Sequence, residues 1–363
     1  MTFVRKMSIC VLLLHVAGVS CYAQDLRMNQ IQLVGTHNSY HVGLAPGEMA
    51  VLRQQNPQSA DSLAYKHPRL EAQLDAGVRQ LELDVWGDSK GGLFADPLYL
   101  RLAAKEGKAD PMSAGWAEVM KKPGFKVLHQ SDVDFRSHCW TLVACLQDIR
   151  KWSKAHPGHL PIYIQLENKD GARPGGAQPE ALTKATMDAL DAEIRSVFTP
   201  GEVVTPDDVR GKHKTLEEAV LQEGWPKLEW ARGKVVFLLD QERVTPLYTE
   251  GHPSLEGRMM FTNGKPGTPD AAFVKMNNPT SPEISQLVRK GYLIRTMTDG
   301  GVQTVRAGDG TRRDQGIASG AQILSTDYPF DWKAESGYNV AIPGKVRCNP
   351  INAPPACTVS LPY

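Results

Sequence analysis

The chain has 363 residues, with 41 Lys and Arg against 40 Asp and Glu, a formal charge of +1 at neutral pH. It is 41% hydrophobic and 22% charged, an ordinary globular balance that excludes a disordered, collagen-like or coiled-coil chain. Near-neutrality also argues against a nucleic-acid binder, which carries a basic surplus.

Arg5 and Lys6 precede an apolar stretch over 7–20, too short to span a membrane as a helix. Cys21, Tyr22 and Ala23 follow with the small residues of a signal-peptidase site, which makes Gln24 the first mature residue. Residues 1–23 are therefore expected to be a signal peptide and the product to be secreted or periplasmic, with lipidation of Cys21 as the minor alternative. No later run has the apolar length of a transmembrane segment.

Short aliphatic runs then recur at 31–37, 78–86, 125–130, 160–167, 234–240, 258–263, 291–298 and 321–328. They are rich in Val, Ile, Leu, Tyr and Phe, as buried strands are. Between them, 140–155 and 183–198 carry apolar residues near a 3.6 period. Thr205-Pro206-Asp207-Asp208 and Ser281-Pro282-Glu283 have the grammar of capped helix starts. Residues 169–176, rich in Gly and without large hydrophobes, read as a mobile surface loop.

Eight strands alternating with helices or long loops predict a single (β/α)8 TIM-like barrel, distorted or irregular, over 24–335. A doubly wound open sheet is the rival, but no Gly-x-Gly-x-x-Gly follows the first strand. Residues 336–363 form a short tail expected to pack on the barrel. Removing the signal leaves Cys139, Cys145, Cys348 and Cys357. They allow three pairings, of which the local ones, Cys139 with Cys145 and Cys348 with Cys357, are favoured. No Cys-x-x-Cys spacing suggests zinc.

Barrel enzymes place their chemistry at the C-terminal ends of the strands. Those ends offer His37 and Asn38, Glu82 and Asp84, His129, Glu167, Asp240, Arg295 and Asp327. Glu82 and Asp84 are two apart, so a strand turns both to one face. Adjacent carboxylates repel unless one is protonated or a cation lies between them; an outward solvated pair is the plain alternative. With Glu167 and Asn38 the set is oxygen-only, the preference of Ca2+. His37 and His129 are the acid/base candidates. Arg295 suits a planar oxyanion contact, with a bridge to Asp299 or another strand-end acid as the structural alternative. Asp240 and Asp327 are read as holding loops or Arg295 in place. Lys275 is a weaker candidate. His41, His138, His156, His159, His213 and His252 are read as surface or loop residues.

Thr36-His37-Asn38-Ser39-Tyr40, Leu81-Glu82-Leu83-Asp84-Val85-Trp86, the 125–129 and 160–167 runs and the 318–329 run together resemble the Ca2+-dependent phosphatidylinositol-specific phospholipase C of the secreted bacterial type. The resemblance runs from about Asn29 to Pro329. It implies one Ca2+ held by Asn38, Glu82, Asp84 and Glu167, and catalytic histidines His37 and His129. It further implies cleavage of phosphatidylinositol at a membrane surface to diacylglycerol and, as first product, an inositol 1,2-cyclic phosphate, with or without later hydrolysis; the protein is expected to act as a monomer. A glycerophosphodiester phosphodiesterase-like hydrolase and a non-catalytic inositol-lipid-binding module are the alternatives.

Overall fold

Parallel strands are covered on both faces and therefore read as continuous aliphatic runs. The computed structural model describes residues 26–362, so the expected signal peptide lies outside the described residues. Ten strands form the sheet: β1 (Ile31–Thr36), β2 (Gln80–Trp86), β3 (Lys126–Val127), β4 (Ile162–Lys169), β5 (Val235–Leu239), β6 (Met260–Phe261), β7 (Phe273–Lys275), β8 (Leu293–Met297), β9 (Ile323–Thr326) and β10 (Val346–Cys348). Eight of them run parallel in the order β6-β5-β4-β2-β1-β9-β8-β7. A single parallel bridge, Asn263 to Phe273, brings β6 to β7, reinforced by Gly264 N donating to Phe273 O at 3.0 Å. The expected barrel is thus present, nearly closed and irregular at that seam.

Two staves differ from expectation. The 125–130 run is not a barrel strand: β3 lies antiparallel on the upper end of β2, Val85 opposite Val127 and Trp86 opposite Lys126. The reason is a free edge. β1 pairs with β2 only where Gly35 meets Gln80, so the last residues of β2 lack a neighbour on that side and β3 takes it. The barrel strand the sequence reading passed over is β7. Its three residues follow a Gly/Pro-rich stretch and fall below the length at which a strand pattern can be seen. At the β1–β2 crossing a Cβ on residue 35 would stand 2.0 Å from Gln80 Oε1, so only glycine allows the strands to meet there.

The helices follow the sequence grammar. Thr141 caps Leu142–Ala155, accepting from Ala144 N. That helix buries Leu142, Leu146, Ile149 and Trp152 against the strands. Thr183 caps Lys184–Val197 and Thr205 caps Pro206–Arg210. Glu283–Lys290 stops at Gly291, whose φ of 109° lets the chain turn back. The loop after Lys169 is exposed, but Arg101 donates to Gly175 O and Ala177 N to Asp132 Oδ2. Lys169 itself is still part of β4.

At the opposite end of the barrel β10 runs antiparallel to β1, Ile31 opposite Cys348. The tail is closed by a Cys348–Cys357 disulfide, and Cys139 is joined to Cys145. Among the described residues no helix is long and apolar enough to cross a membrane.

Candidate active site

The turn after β1 is fixed before any chemistry is considered. Ser39 N donates to Glu82 O at 3.0 Å, and Ser39 Oγ accepts from Glu82 N at 2.8 Å. Gln73 reaches in from its helix to donate to Ser39 O. This clamp holds Asn38 at a φ of +45°, a left-handed conformation that Asn tolerates better than most residues. The side chain of Asn38 is buried; its amide donates to Tyr65 Oη at 2.8 Å, and its Oδ1 has no partner.

His37 directly follows β1, and its Nδ1 lies 3.0 Å from Oδ1 of Asp327, which directly follows the neighbouring strand β9. Its Nε2 faces Glu82 Oε1 at 3.9 Å. Burial opposes charge on the ring, but Asp327 and Glu82 outweigh it and raise the imidazole to about 9. His37 is therefore a cation at neutral pH. Asp327 is expected to hold loops or Arg295; it orients His37 instead, and although burial would raise its carboxyl, His37 and His67 hold it well below the usual range. His67 Nε2 also touches His37 O at 2.9 Å.

His129 arrives differently. Leu128 N donates to Asp84 O, and Trp86 Nε1 donates to Leu128 O at 2.7 Å, so the excursion is stitched to the end of β2. His129 Nδ1 lies 2.8 Å from Asp134 Oδ2, and His41 Nε2 lies 2.7 Å from the same oxygen. Burial lowers the His129 imidazole, and contact with Asp134 does not restore it, with Lys169 and His41 opposing. Asp134 itself is brought down to about 2, since His41 and His129 together overcome its burial. The reading of His41 as a surface residue is corrected: it is fully buried, as is His159, which contacts Ser153 and Leu160 O.

Glu82, Asp84 and Glu167 each present an oxygen within 4.8 Å of the others. Strand register explains this: on the parallel β2–β4 pair Asp84 stands opposite Glu167. Glu82 is buried and accepts from Arg295 Nη2 at 2.7 Å and Gln165 Nε2 at 3.2 Å. Burial raises the Glu82 carboxyl, and raises Asp84 well above the ordinary carboxylate range. Asp84 Oδ1 has no hydrogen-bond partner, and Asp84 Oδ2 meets the Lys169 ammonium. Glu167 behaves otherwise: burial would raise it, but the Lys169 ammonium holds it low. Lys169 Nζ lies 2.8 Å from Glu167 Oε1 and 3.0 Å from Asp84 Oδ2.

These residues suit a hard divalent cation. The donors are all oxygens, and the buried Asn38 Oδ1 and Asp84 Oδ1 have no hydrogen-bond partner. A buried acceptor left unmatched is costly unless an ion or water completes it.

Arg295 is buried, donating to Glu82, to Ser325 Oγ at 2.9 Å and to Asn277 Oδ1 at 2.5 Å. It takes up the bridge to a strand-end acid, with Glu82 as that acid. Asp240 pairs with Lys275 at 2.5 Å and accepts from Gln165 at 2.5 Å. Sequence reasoning missed Lys169, Asp134, His41, His67 and Tyr65. Lys169 carried a signal, because its two-residue spacing from Glu167 puts both on one strand face. Tyr65 and His67 carried none, since only the folded loop brings them in. A cleft of about 430 Å³ lined by Trp86, His129, Lys169 and Arg173 opens on one side. A larger one, about 1030 Å³, lies beyond Asp327, His67 and Tyr65.

Comparison with known proteins agrees with this geometry. No curated protein sequence matches the chain. Among solved structures, a calcium-dependent phosphoinositol-specific phospholipase C from a Gram-negative bacterium, Pseudomonas sp., superposes with a TM-score of 0.55 at 18% identity, covering 89% of this chain and 96% of that one. The myo-inositol complex of such a Pseudomonas enzyme gives 0.54 at 17%, with 89% and 96% covered. A Ca2+-dependent phosphatidylinositol-specific phospholipase C from Streptomyces antibioticus gives 0.51 at 21%, with 83% and 95% covered. At such identities these likenesses speak for the barrel. The sequence pattern of the family described as phosphoinositide phospholipase C, Ca2+-dependent, matches residues 26–350, so the chain belongs to that family and is a Ca2+-dependent phospholipase C.

Proposed function

We propose that this enzyme cleaves phosphatidylinositol to diacylglycerol and an inositol 1,2-cyclic phosphate, with His37 and His129 as its acid/base pair. The observation that carries the reading is the cluster of Glu82, Asp84 and Glu167 oxygens, with the unmatched Asn38 Oδ1 and Asp84 Oδ1, in a site that also holds two histidines each backed by an aspartate. Asn38, Glu82, Asp84 and Glu167 would hold Ca2+. When bound, the ion supplies Lewis acidity that makes a neighbouring hydroxyl more acidic and offsets phosphate charge.

The chain's own residues do the rest. His37, charged and oriented by Asp327, donates to a phosphoryl oxygen as negative charge develops there. Glu82, with its raised proton affinity, is placed to accept the proton of the inositol 2-hydroxyl. Arg295 positions Glu82 rather than meeting the phosphate. His129 protonates the departing diacylglycerol oxygen; an arriving phosphodiester anion raises the proton affinity of an imidazole beside it. A nucleophile carried by the substrate itself needs no positioned water. Export across the cytoplasmic membrane belongs to the same proposal and rests on the N-terminal pattern.

Phosphorus NMR of phosphatidylinositol vesicles tests the reading. Cyclic inositol phosphate appears with Ca2+ and is abolished by excess chelator. Glu82→Gln and Asp84→Asn raise the Ca2+ needed for half-maximal rate by about tenfold or more. Full turnover in chelator, or turnover of glycerophosphoinositol in place of the lipid, overturns it.

A further inference from the structure

Lys169 is a charged group in contact with the metal-binding carboxylates to which the proposed reaction gives no role. β4 continues two residues past Glu167, so strand period returns Lys169 to the same face as the acid. Its register partner is Trp86, directly beyond the Asp84–Glu167 pair. The ammonium lies 2.8 Å from Glu167 Oε1 and 3.0 Å from Asp84 Oδ2 and is mostly buried. Two of the three carboxylates that group for a metal thus already share a cation supplied by the chain.

An ammonium and a divalent ion cannot share these two carboxylates: they compete for the same oxygens, and like charges at a few ångströms repel strongly in a buried setting. Lysine, unlike arginine, is a compact charge on a flexible four-carbon stem and can leave by rotating that stem. Room exists, because the cleft of about 430 Å³ that opens onto Lys169 is also lined by His129 and Arg173. Beside Lys169 and Arg173 its charged lining includes Asp132, and the proposed leaving-group acid His129 forms part of the wall.

We propose that Lys169 is a built-in competitor for Ca2+ at Asp84 and Glu167, and that the ion displaces its ammonium into the His129 cleft, where it meets the phosphodiester anion. The proposal rests on the Ca2+ site assigned above. It makes Ca2+ and an anionic ligand cooperative: each favours the outward ammonium, and by linkage each tightens the other. Lys169 is then a positioning residue that couples metal to substrate charge.

Calorimetric titration of Ca2+ into the whole protein, with and without myo-inositol 1-phosphate, tests this. Lys169→Met should bind Ca2+ about tenfold more tightly than wild type and lose the tightening produced by the inositol phosphate. Lys169→Arg should not gain affinity. Equal or weaker Ca2+ binding by Lys169→Met, in protein that melts cooperatively, overturns the role of Lys169 and leaves the Ca2+ site standing. Binding by Lys169→Met alone supports the proposal. Binding by neither protein removes the Ca2+ site and the proposal together.

A measurement on wild type needs no variant. Amine acetylation read by mass spectrometry should label Lys169 at least about threefold faster once Ca2+ is added, as a paired amine is released, while surface Lys121 stays constant. Unchanged labelling of Lys169 on Ca2+ saturation overturns the displacement.

Discussion

His37 and His129 are chemically the same device, an imidazole with its Nδ1 on an aspartate, yet the two sides of the site charge them in opposite senses. His37 sits between Asp327 and Glu82 and is raised to about 9. His129 has only Asp134, whose acceptor oxygen it shares with His41, and Lys169 bears on it from the other side. A third histidine completes the series: His159, buried without a carboxylate partner, is lowered to about 4 by desolvation. What decides an imidazole's charge here is how many carboxylates are left over for it, not whether one is present.

The largest test removes each ring. His37→Ala and His129→Ala should each lose on the order of 10²-fold or more in the rate of diacylglycerol release. A variant within twofold of wild type takes that residue out of the reaction and leaves its aspartate pair as a structural contact only.

A smaller change breaks the asymmetry itself. Asp327→Asn should move the NMR titration of His37 down from about 9, with a rate loss of about tenfold. His41→Phe leaves Asp134 undivided and should move the His129 titration upward, because His41 is one of the groups that opposes its charge. If His129 does not move, the shared acceptor does not explain the difference.

The smallest effect concerns stability. The unfolded His159 ring takes its proton near 6.5 and the folded one only near 4. The unfolded chain therefore binds more protons in that window, and stability falls as pH drops through it. Between pH 7 and pH 5 the melting temperature of wild type should fall more than that of His159→Gln, by a few degrees. Parallel melting curves would show that His159 is not desolvated as described.

The same contrast shows what was legible in the sequence. His37 and Asn38 directly follow β1, Glu82 and Asp84 lie within β2 and Glu167 near the end of β4, all true barrel strands whose aliphatic runs and period locate them without coordinates. His129 was found for a partly mistaken reason: its run is apolar, but β3 is an antiparallel patch on the free edge of β2 and not a stave. Its partner Asp134 was invisible, since a tight excursion of five residues has no period to read. Arg295 was identified as important while its partner was not, because which acid an arginine meets depends on strands distant in sequence. Lys169 was legible by spacing, but a lysine after an acid is ordinarily read as a solvated neighbour.

The thin junction between β6 and β7 makes this cylinder a clip rather than a ring. One backbone bridge at Asn263 and Phe273 and the side-chain bond from Lys275 N to Asn263 Oδ1 close it, whereas β2 and β4 are laced along seven residues. Strain entering the barrel is relieved where the fewest bonds must yield. The ladder carrying the acids stays rigid, and the wall bearing Lys275 and Asn277 is the one that can give way to a wider guest.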